Sequence, residues 1–276
     1  MARSRSGRSG GLPSSTVALL PWLLVACALQ APQAEQVLAD GGADDRASAE
    51  ALEAFRAAPD DLDAALRAAR VLFAAADLSV QRALVAAIEA QPQPGLEQVL
   101  AVEEQLPEAA RERVLSLSGA GAEAAQVIVD ARPDDVEANV LLAQHLSFVA
   151  WANGPMRSLM AGYGGRIEAA MKRALAVDAS WDHGAPLRLR GRFLAEAPWP
   201  LRDREQSLEL LQRAVATRAM PIHHLFLGDL LFDRGDRDGA LAQWRQAVTA
   251  EPDETTAAVA PWHRRLAELR VEAALR

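Results

Sequence analysis

The sequence predicts an all-α protein built from repeated helices. Half of the 276 residues are hydrophobic but only 5% are aromatic, too few for a β-sandwich or barrel of this length. Windows rich in Ala and Leu, both strong helix formers, follow one another after residue 50. Pro-Asp and Gly-Asp pairs separate these windows, as expected for turns between helices. We therefore expect helices over most of residues 51–276.

The charge and the cysteine content exclude several function classes. The chain has 29 basic and 37 acidic residues, a formal net charge of −8. Nucleic-acid recognition relies on clustered Lys and Arg, so a nucleic-acid partner is not expected. A single cysteine, Cys27, cannot form an intramolecular disulfide, and there is no cysteine cluster for a structural metal.

The amino terminus has the pattern of an export signal. Residues 1–15 are rich in Arg, Ser and Gly, and residues 16–29 form an apolar run that is too short to span a bilayer stably. The tripeptide before Cys27, together with that cysteine, resembles the lipobox of bacterial lipoproteins, which implies acylation of Cys27. The alternative is an A-x-A cleavage site at residues 26–28, which would release a soluble exported protein.

The signal predicts the location of the protein. We expect a signal peptide over residues 1–26 and a flexible polar tether over 27–50, followed by the helical domain at 51–276. The resemblance implies a protein of the bacterial cell envelope that faces the periplasm and contacts the membrane through its lipid alone. Ala28 after the cysteine, instead of Asp, favours the outer over the inner membrane by resemblance to the sorting pattern of lipoproteins.

The segment 221–254 is the clearest repeat unit. Two predicted helices carry large apolar and small residues at fixed positions, followed by a proline: Leu227, Gly228, Leu231, then Ala240, Trp244, Ala247, then Pro252. The small residues Gly228 and Ala240 allow two antiparallel helices to approach closely, while Trp244 fills the space beside them. This pattern resembles the tetratricopeptide repeat, whose period is about 34 residues.

Earlier segments continue the same period with insertions. A first partial helix over 47–58 ends at Pro59, and a repeat over 59–93 has Ala69, Leu72, Val85 and Ile88 at core positions. In the next repeat, residues 124–131 form the second helix. The unit after it has surplus residues over 147–166. The following unit is built on Gly191, Leu194, Leu211 and Ala214 and has an insertion at 197–200. A capping helix is expected over 261–276. The prediction is an α-solenoid of about five antiparallel helical hairpins.

A narrower resemblance covers residues 181–254. The runs 184–188, 191–192, 197–200, 207–208, 214–215 and 224–227 are similar to the periplasmic T component associated with TRAP transporters. Such a resemblance implies an accessory subunit that works with a periplasmic solute-binding protein. Residues 50–130 have no motif specific to that group.

No catalytic constellation is expected, and the sequence predicts a protein that is not an enzyme and needs no cofactor or metal. The five histidines are dispersed, and neither a G-x-S-x-G elbow nor a P-loop occurs. Residues 119–124 satisfy G-x-G-x-x-A after an apolar run at 114–117, but no βαβ unit surrounds them. We interpret them as a Gly-rich turn between two helices.

Candidate binding residues come from the insertions and from the resemblance. Phe148, Trp151, Met156, Met160 and Tyr163 either extend the core or wall a hydrophobic cleft together with Trp181 and Trp199. Arg188 and Arg192 share a helical face and either neutralise an acidic ligand or pair with Glu196, Asp203 or Glu205. In tetratricopeptide proteins the first helix of each unit faces the groove, which adds His224, Asp229 and Phe232.

The function predicted is that of an exported, lipid-anchored scaffold that binds an envelope protein or an apolar small molecule through its concave surface. The alternative is a transport accessory that hands a ligand to a solute-binding protein. The alternative requires an apolar cavity near 148–163, whereas a scaffold requires only a groove. The sequence leaves open whether the chain forms a homo-oligomer.

Overall fold

The computed structural model describes residues 43–276, which form twelve α-helices and one 3-10 turn (Val102–Glu104) and contain no strand. The helices are α1 (Ala43–Ala57), α2 (Leu62–Glu89), α3 (Leu96–Ala101), α4 (Glu108–Ala131), α5 (Val136–Asn153), α6 (Pro155–Met160), α7 (Tyr163–Val177), α8 (Trp181–Glu196), α9 (Arg204–Thr217), α10 (Pro221–Asp233), α11 (Arg237–Thr249) and α12 (Ala260–Ala274). The all-α prediction is confirmed. The expected signal peptide and Cys27 lie outside the described residues.

The folded part begins earlier than the sequence suggests. Helix α1 starts at Ala43, so residues 43–50, assigned above to the tether, are helical. The helix buries Leu52 and Phe55 in the core, and Asp45 is paired with Arg113 of α4. These contacts stabilise a polar stretch whose composition alone resembles a linker.

The expected repeat over 59–93 is one helix and not a hairpin. Residues 62–89 contain no Gly or Pro that would end a helix, so α2 continues for 28 residues. Asp61 caps its start by accepting hydrogen bonds from the backbone amides of Asp63 and Ala64. The four expected core residues are buried, but they lie on this single helix.

The Gly-rich segment 119–124 lies inside α4, so its interpretation as a turn is wrong, as is the expectation that the helix there starts only at residue 124. Gly121 faces the ring of His145 on α5, and a Cβ at this position would collide with that ring. The glycine therefore serves close helix packing and not a change of chain direction.

The helices form two rows. The inner row consists of α2, α5, α8, α10 and α12, in which each helix contacts the next one in the row; α1, α4, α7, α9 and α11 form the outer row. Helix α12 also contacts α2 and the short helix α3, so the inner row closes on itself. The C-terminal helix therefore does more than cap the last unit, because it occupies space that an open solenoid would leave as a groove.

The packing at residues 221–254 agrees with the repeat pattern. A Cβ on Gly228 would lie 2.5 Å from Cδ1 of Trp244, and Trp244, Ala240 and Ala247 are buried. A glycine of α8 has the same role, since a Cβ on Gly191 would lie 2.8 Å from Leu211 of α9. Small residues thus set the distance between paired helices in two successive units.

One described helix, α2, is long and apolar enough to cross a membrane by length and composition. Eleven of its apolar residues, from Ala64 to Ile88, are buried, and the helix packs against other helices of the solenoid. We therefore interpret α2 as a core helix.

Candidate functional site

Charged side chains from four segments meet at the inner face of the solenoid. Glu103 of the 3-10 turn accepts from Arg192 of α8 at 2.8 Å and from Arg270 of α12 at 2.5 Å. Asp229 of α10 lies 3.0 Å from Arg192 and 2.9 Å from Arg270. We call Glu103, Arg192, Asp229 and Arg270 the inner ion cluster.

Burial and the two arginines shift the pKa values of the carboxylates in this cluster in opposite directions. Burial alone would raise the pKa of Glu103, but Arg270 and Arg192 outweigh it and hold that pKa below its usual value. Burial raises the pKa of Asp229, and the two arginines offset only part of the shift. Arg270 is 1% exposed, so its charge depends on both carboxylates for compensation.

The inner ion cluster engages two of the predicted binding residues. Arg192 also pairs with Glu196 at 2.5 Å, which is one of the internal pairings that the sequence left open. Asp229 additionally accepts from the indole N–H of Trp244 at 3.0 Å. Both side chains are thus occupied by partners within the chain, and their role as ligand-binding residues stays a prediction.

Arg188, the other predicted arginine, is buried beside a histidine. Its Nη1 donates to Nε2 of His223 at 3.0 Å, and Nδ1 of that ring donates to the carbonyl of Arg218 at 2.8 Å. Burial and the charge of Arg188 lower the pKa of His223 to about 3, so the ring is neutral. No carboxylate of the described residues lies within salt-bridge distance of Arg188, so the expected pairing is not formed there.

The remaining groove candidates sit between helices α10 and α11. Nδ1 of His224 lies 2.7 Å from Oε1 of Gln243. Phe232 packs 6.0 Å from the ring of Trp244, with the guanidinium of Arg237 5.8 Å from its own ring. These contacts stabilise the hairpin.

The large apolar residues of the insertion over 147–166 form two groups, one packed against the core and one exposed. Phe148, Trp151 and Tyr163 are half-buried and pack against the core clusters, which is the core-extending role considered above. Met156 and Met160, on the short helix α6, are 70% and 67% exposed.

Large exposed apolar side chains occur in both insertions. Leu159 of α6 is 72% exposed, and Trp199, between α8 and α9, is 88% exposed. The two segments approach each other at one point, because a Cβ on Gly164 would lie 3.3 Å from Cδ1 of Leu201, the residue that follows the 197–200 insertion. We call Met156, Leu159, Met160 and Trp199 the insertion surface. Trp181, expected in the same cleft, is half-buried at the start of α8.

Sequence reasoning missed Glu103, Arg270 and Leu159. Leu159 lies inside the inserted segment and was overlooked in favour of the methionines beside it. Glu103 and Arg270 are separated by 167 residues, and no periodicity links the 3-10 turn to the final helix. Only the closure of the inner row brings them together.

One further group has metal-ligand chemistry. Donor atoms of Asp182, His183 and Asp253 lie within 4.8 Å of one another. Asp182 and His183 lie at the start of α8, and Asp253 lies before α12, so the group joins α8 to the C-terminal segment.

Comparisons with known proteins assign no function to the chain. No protein-family model and no curated protein matches the sequence. Among solved structures, the chain is similar to a thermophilic TPR protein of Thermus thermophilus, with 19% identity over 65% of this chain and 90% of that one, and a TM-score of 0.44. The class of the described chain, an all-α solenoid of tetratricopeptide-like helical pairs, rests on its own helix packing.

Proposed function

We propose that this chain is a scaffold that binds a protein partner through the insertion surface, and that it is exported and lipid-anchored in the bacterial envelope. The observation that carries the proposal is the exposure of four large apolar side chains, at 67–88%, on two insertions that approach each other at one point. Soluble proteins rarely leave such groups together in water unless the surface is used.

The inner face supports this choice of surface. In an open helical-repeat solenoid the concave groove is the usual docking surface. Here α12, α3 and the inner ion cluster occupy that region, and Arg192 and Asp229 already have partners. The insertion surface is therefore more accessible to a partner than the inner face is.

The composition of the insertion surface indicates the chemistry of its partner. Methionine and leucine are flexible and adapt to different apolar pockets, and tryptophan is enriched at binding hot spots. The segment 147–166 also contains Arg157 and Arg166 and no acidic residue, although the whole chain carries a charge of −8. We infer a partner protein with an apolar pocket and an acidic rim.

The export and anchoring part rests on residues outside the described range. An Arg-rich start, an apolar run and Cys27 in a lipobox-like setting support it. Replacing Cys27 with Ser tests the anchor, and we expect the protein to move from the membrane fraction to the soluble fraction. Unchanged partitioning of C27S would contradict lipidation without affecting the docking surface.

Affinity capture from native envelope tests the docking surface. We expect the wild type to recover a partner that the triple variant M156S/L159S/M160S does not, and the same two proteins should differ at least about tenfold in affinity when the purified partner is titrated calorimetrically. The matched control E209S/Q212S/R213S changes three exposed residues of α9 and should bind like the wild type.

The identity of the partner separates the alternatives. Recovery of a periplasmic solute-binding protein would support the TRAP accessory role that the resemblance of residues 181–254 implies. Equal recovery by the triple variant would contradict docking at the insertion surface. Binding of the wild type to anionic vesicles, lost in the triple variant while no protein is recovered, would assign the surface to the membrane and overturn the protein-partner proposal.

A further inference from the structure

We propose that Asp182, His183 and Asp253 form a binding site for a divalent transition-metal ion of the zinc class. The site lies between the start of α8 and the segment that precedes α12, and none of its residues belongs to the insertion surface. It would join two parts of the chain that the helix pairing does not link directly.

The backbone at the start of α8 presents two of the ligands together. Asp182, His183 and Gly184 have φ of +44°, +57° and +92°, so three successive residues are left-handed. For Asp and His this conformation is unfavourable and must be held by the surrounding structure. Its result is that an imidazole nitrogen and a carboxylate oxygen lie within 4.8 Å of each other and of Asp253.

Asp253 is fixed in place and has one oxygen without a partner. Its Oδ1 accepts from the backbone N–H of Thr256 at 2.8 Å and from the Thr256 hydroxyl at 2.7 Å, and lies 2.9 Å from the Thr255 hydroxyl. Its Oδ2 is buried and makes no hydrogen bond, although the residue is only 8% exposed. A buried carboxylate oxygen without a donor is costly, and it points toward His183.

Nε2 of His183 lies between a carboxylate oxygen and a guanidinium. It is 3.5 Å from Oδ2 of Asp253 and accepts a hydrogen bond from Nη1 of Arg218 at 3.1 Å. Oδ2 of Asp253 has no hydrogen-bond donor. A metal bonded to both Nε2 and Oδ2 would give that oxygen a partner once Arg218 moves aside.

The donor set selects the kind of metal. One imidazole nitrogen and two carboxylate oxygens are ligands that zinc accepts, with bonds of about 2.0–2.2 Å, so two ligand atoms on a tetrahedral ion lie about 3.4 Å apart. The Nε2 to Oδ2 distance of 3.5 Å matches this geometry. Hydrogen bonds from Thr256 and Thr255 orient the ligands, as outer-shell groups do at metal sites.

Two cations oppose the metal. Arg218 contacts His183, and the buried Arg188 interacts electrostatically with Asp182 and Asp253. Arg218 is half-buried, so its side chain has a route into solvent, whereas Arg188 is buried and hydrogen-bonded to His223. Removing the charge at residue 218 should therefore strengthen metal binding.

The test is a titration of the untagged full chain with zinc chloride by calorimetry, and with cobalt(II) by visible absorption. We expect one site in the wild type, and at least about tenfold weaker binding in H183N, in which Asn tolerates the left-handed backbone. We expect several-fold tighter binding in R218Q. The control D60N changes an exposed aspartate outside the site and should leave the affinity unchanged.

The variants are chosen so that misfolding cannot mimic the result. Asp253 is not replaced, because its carboxylate caps the turn at 253–256. Far-ultraviolet circular dichroism of H183N and R218Q should equal that of the wild type. Equal zinc affinity of the wild type and H183N, or no zinc binding by R218Q, would overturn the proposal.

Discussion

The inner ion cluster and the insertion surface reverse the usual distribution of residues in a folded protein. At the inner face, Arg270 is buried and three further charged side chains are half-buried, where apolar residues would be easier to accommodate. On the insertion surface, the Met, Leu and Trp side chains are 67–88% exposed to solvent. The difference is informative, because each region departs from the pattern that stability alone would favour.

The inner ion cluster links four segments of the chain. Glu103, Arg192, Asp229 and Arg270 come from different segments, and separating them would leave the buried Arg270 without a compensating carboxylate. The exposed apolar residues do not link helices to one another. We therefore expect changes in the first region to affect stability and changes in the second to affect binding.

Replacing Arg270 should have the largest effect. R270A removes one of the two arginine partners of Glu103 and of Asp229, and both carboxylates stay largely shielded from water. We therefore expect a loss of about 3–5 kcal/mol in the free energy of unfolding. Urea denaturation measures it. The control R265A removes an arginine of the same helix whose pairs are solvent-exposed and should cost less than about 1 kcal/mol. If R270A lowered the free energy of unfolding no more than R265A does, the inner ion cluster would have no structural role.

A pair of glycine variants tests the helix packing. G228A would bring a Cβ to within 2.5 Å of Trp244, so we expect a destabilisation of about 1–3 kcal/mol. G165A, in α7, adds a Cβ with no heavy atom within 4 Å and should stabilise the protein by up to about 1 kcal/mol. Thermal unfolding of both variants gives the comparison, and a stabilising G228A would contradict the packing.

The buried histidine of α5 predicts a pH dependence. Burial lowers the pKa of His145 to about 4, and its Nε2 donates to the carbonyl of Ala69 at 3.0 Å. In the unfolded chain the His145 ring binds a proton near pH 6.5, whereas in the folded chain it stays neutral until the pH approaches 4. The free energy of unfolding therefore falls as the pH drops from about 6.5 toward 4. H145Q should reduce this slope by up to about 1.4 kcal/mol per pH unit. A slope equal to that of the wild type would mean that His145 titrates normally.

The insertion surface should give the smallest effect on stability. M156S/L159S/M160S removes side chains that are already in water, so we expect the free energy of unfolding to change by less than about 0.5 kcal/mol. Chemical denaturation checks this. A loss above about 1 kcal/mol would mean that these residues pack in the folded chain and are not a free surface.

The sequence predicts helices and their local packing well, because those depend on residues close together in the chain. Gly228, Ala240 and Trp244 lie within 17 positions and carry the pattern by themselves. The length of α2 was missed because the 34-residue period suggested a turn where no Gly or Pro exists. The Gly-rich segment of α4 was misinterpreted because the need for Gly121 comes from His145 on another helix.

The candidate sites depend on contacts that the sequence does not encode locally. Met156 and Met160 stand out as surplus apolar residues, but only the fold shows that they are exposed while Tyr163 beside them packs inward. The meeting of Glu103 with Arg270 requires that α12 return to α2. Long-range closure is a property of the summed helix angles, which no single repeat reveals.

Site-specific photocrosslinking in intact cells tests the central claim most directly. A photoreactive amino acid is placed at residue 159 on the insertion surface or at residue 196, at the exposed edge of the inner ion cluster. We expect the partner to be crosslinked from position 159 and not from position 196. Crosslinking from 196 with none from 159 would show that the inner face, and not the insertion surface, receives the partner.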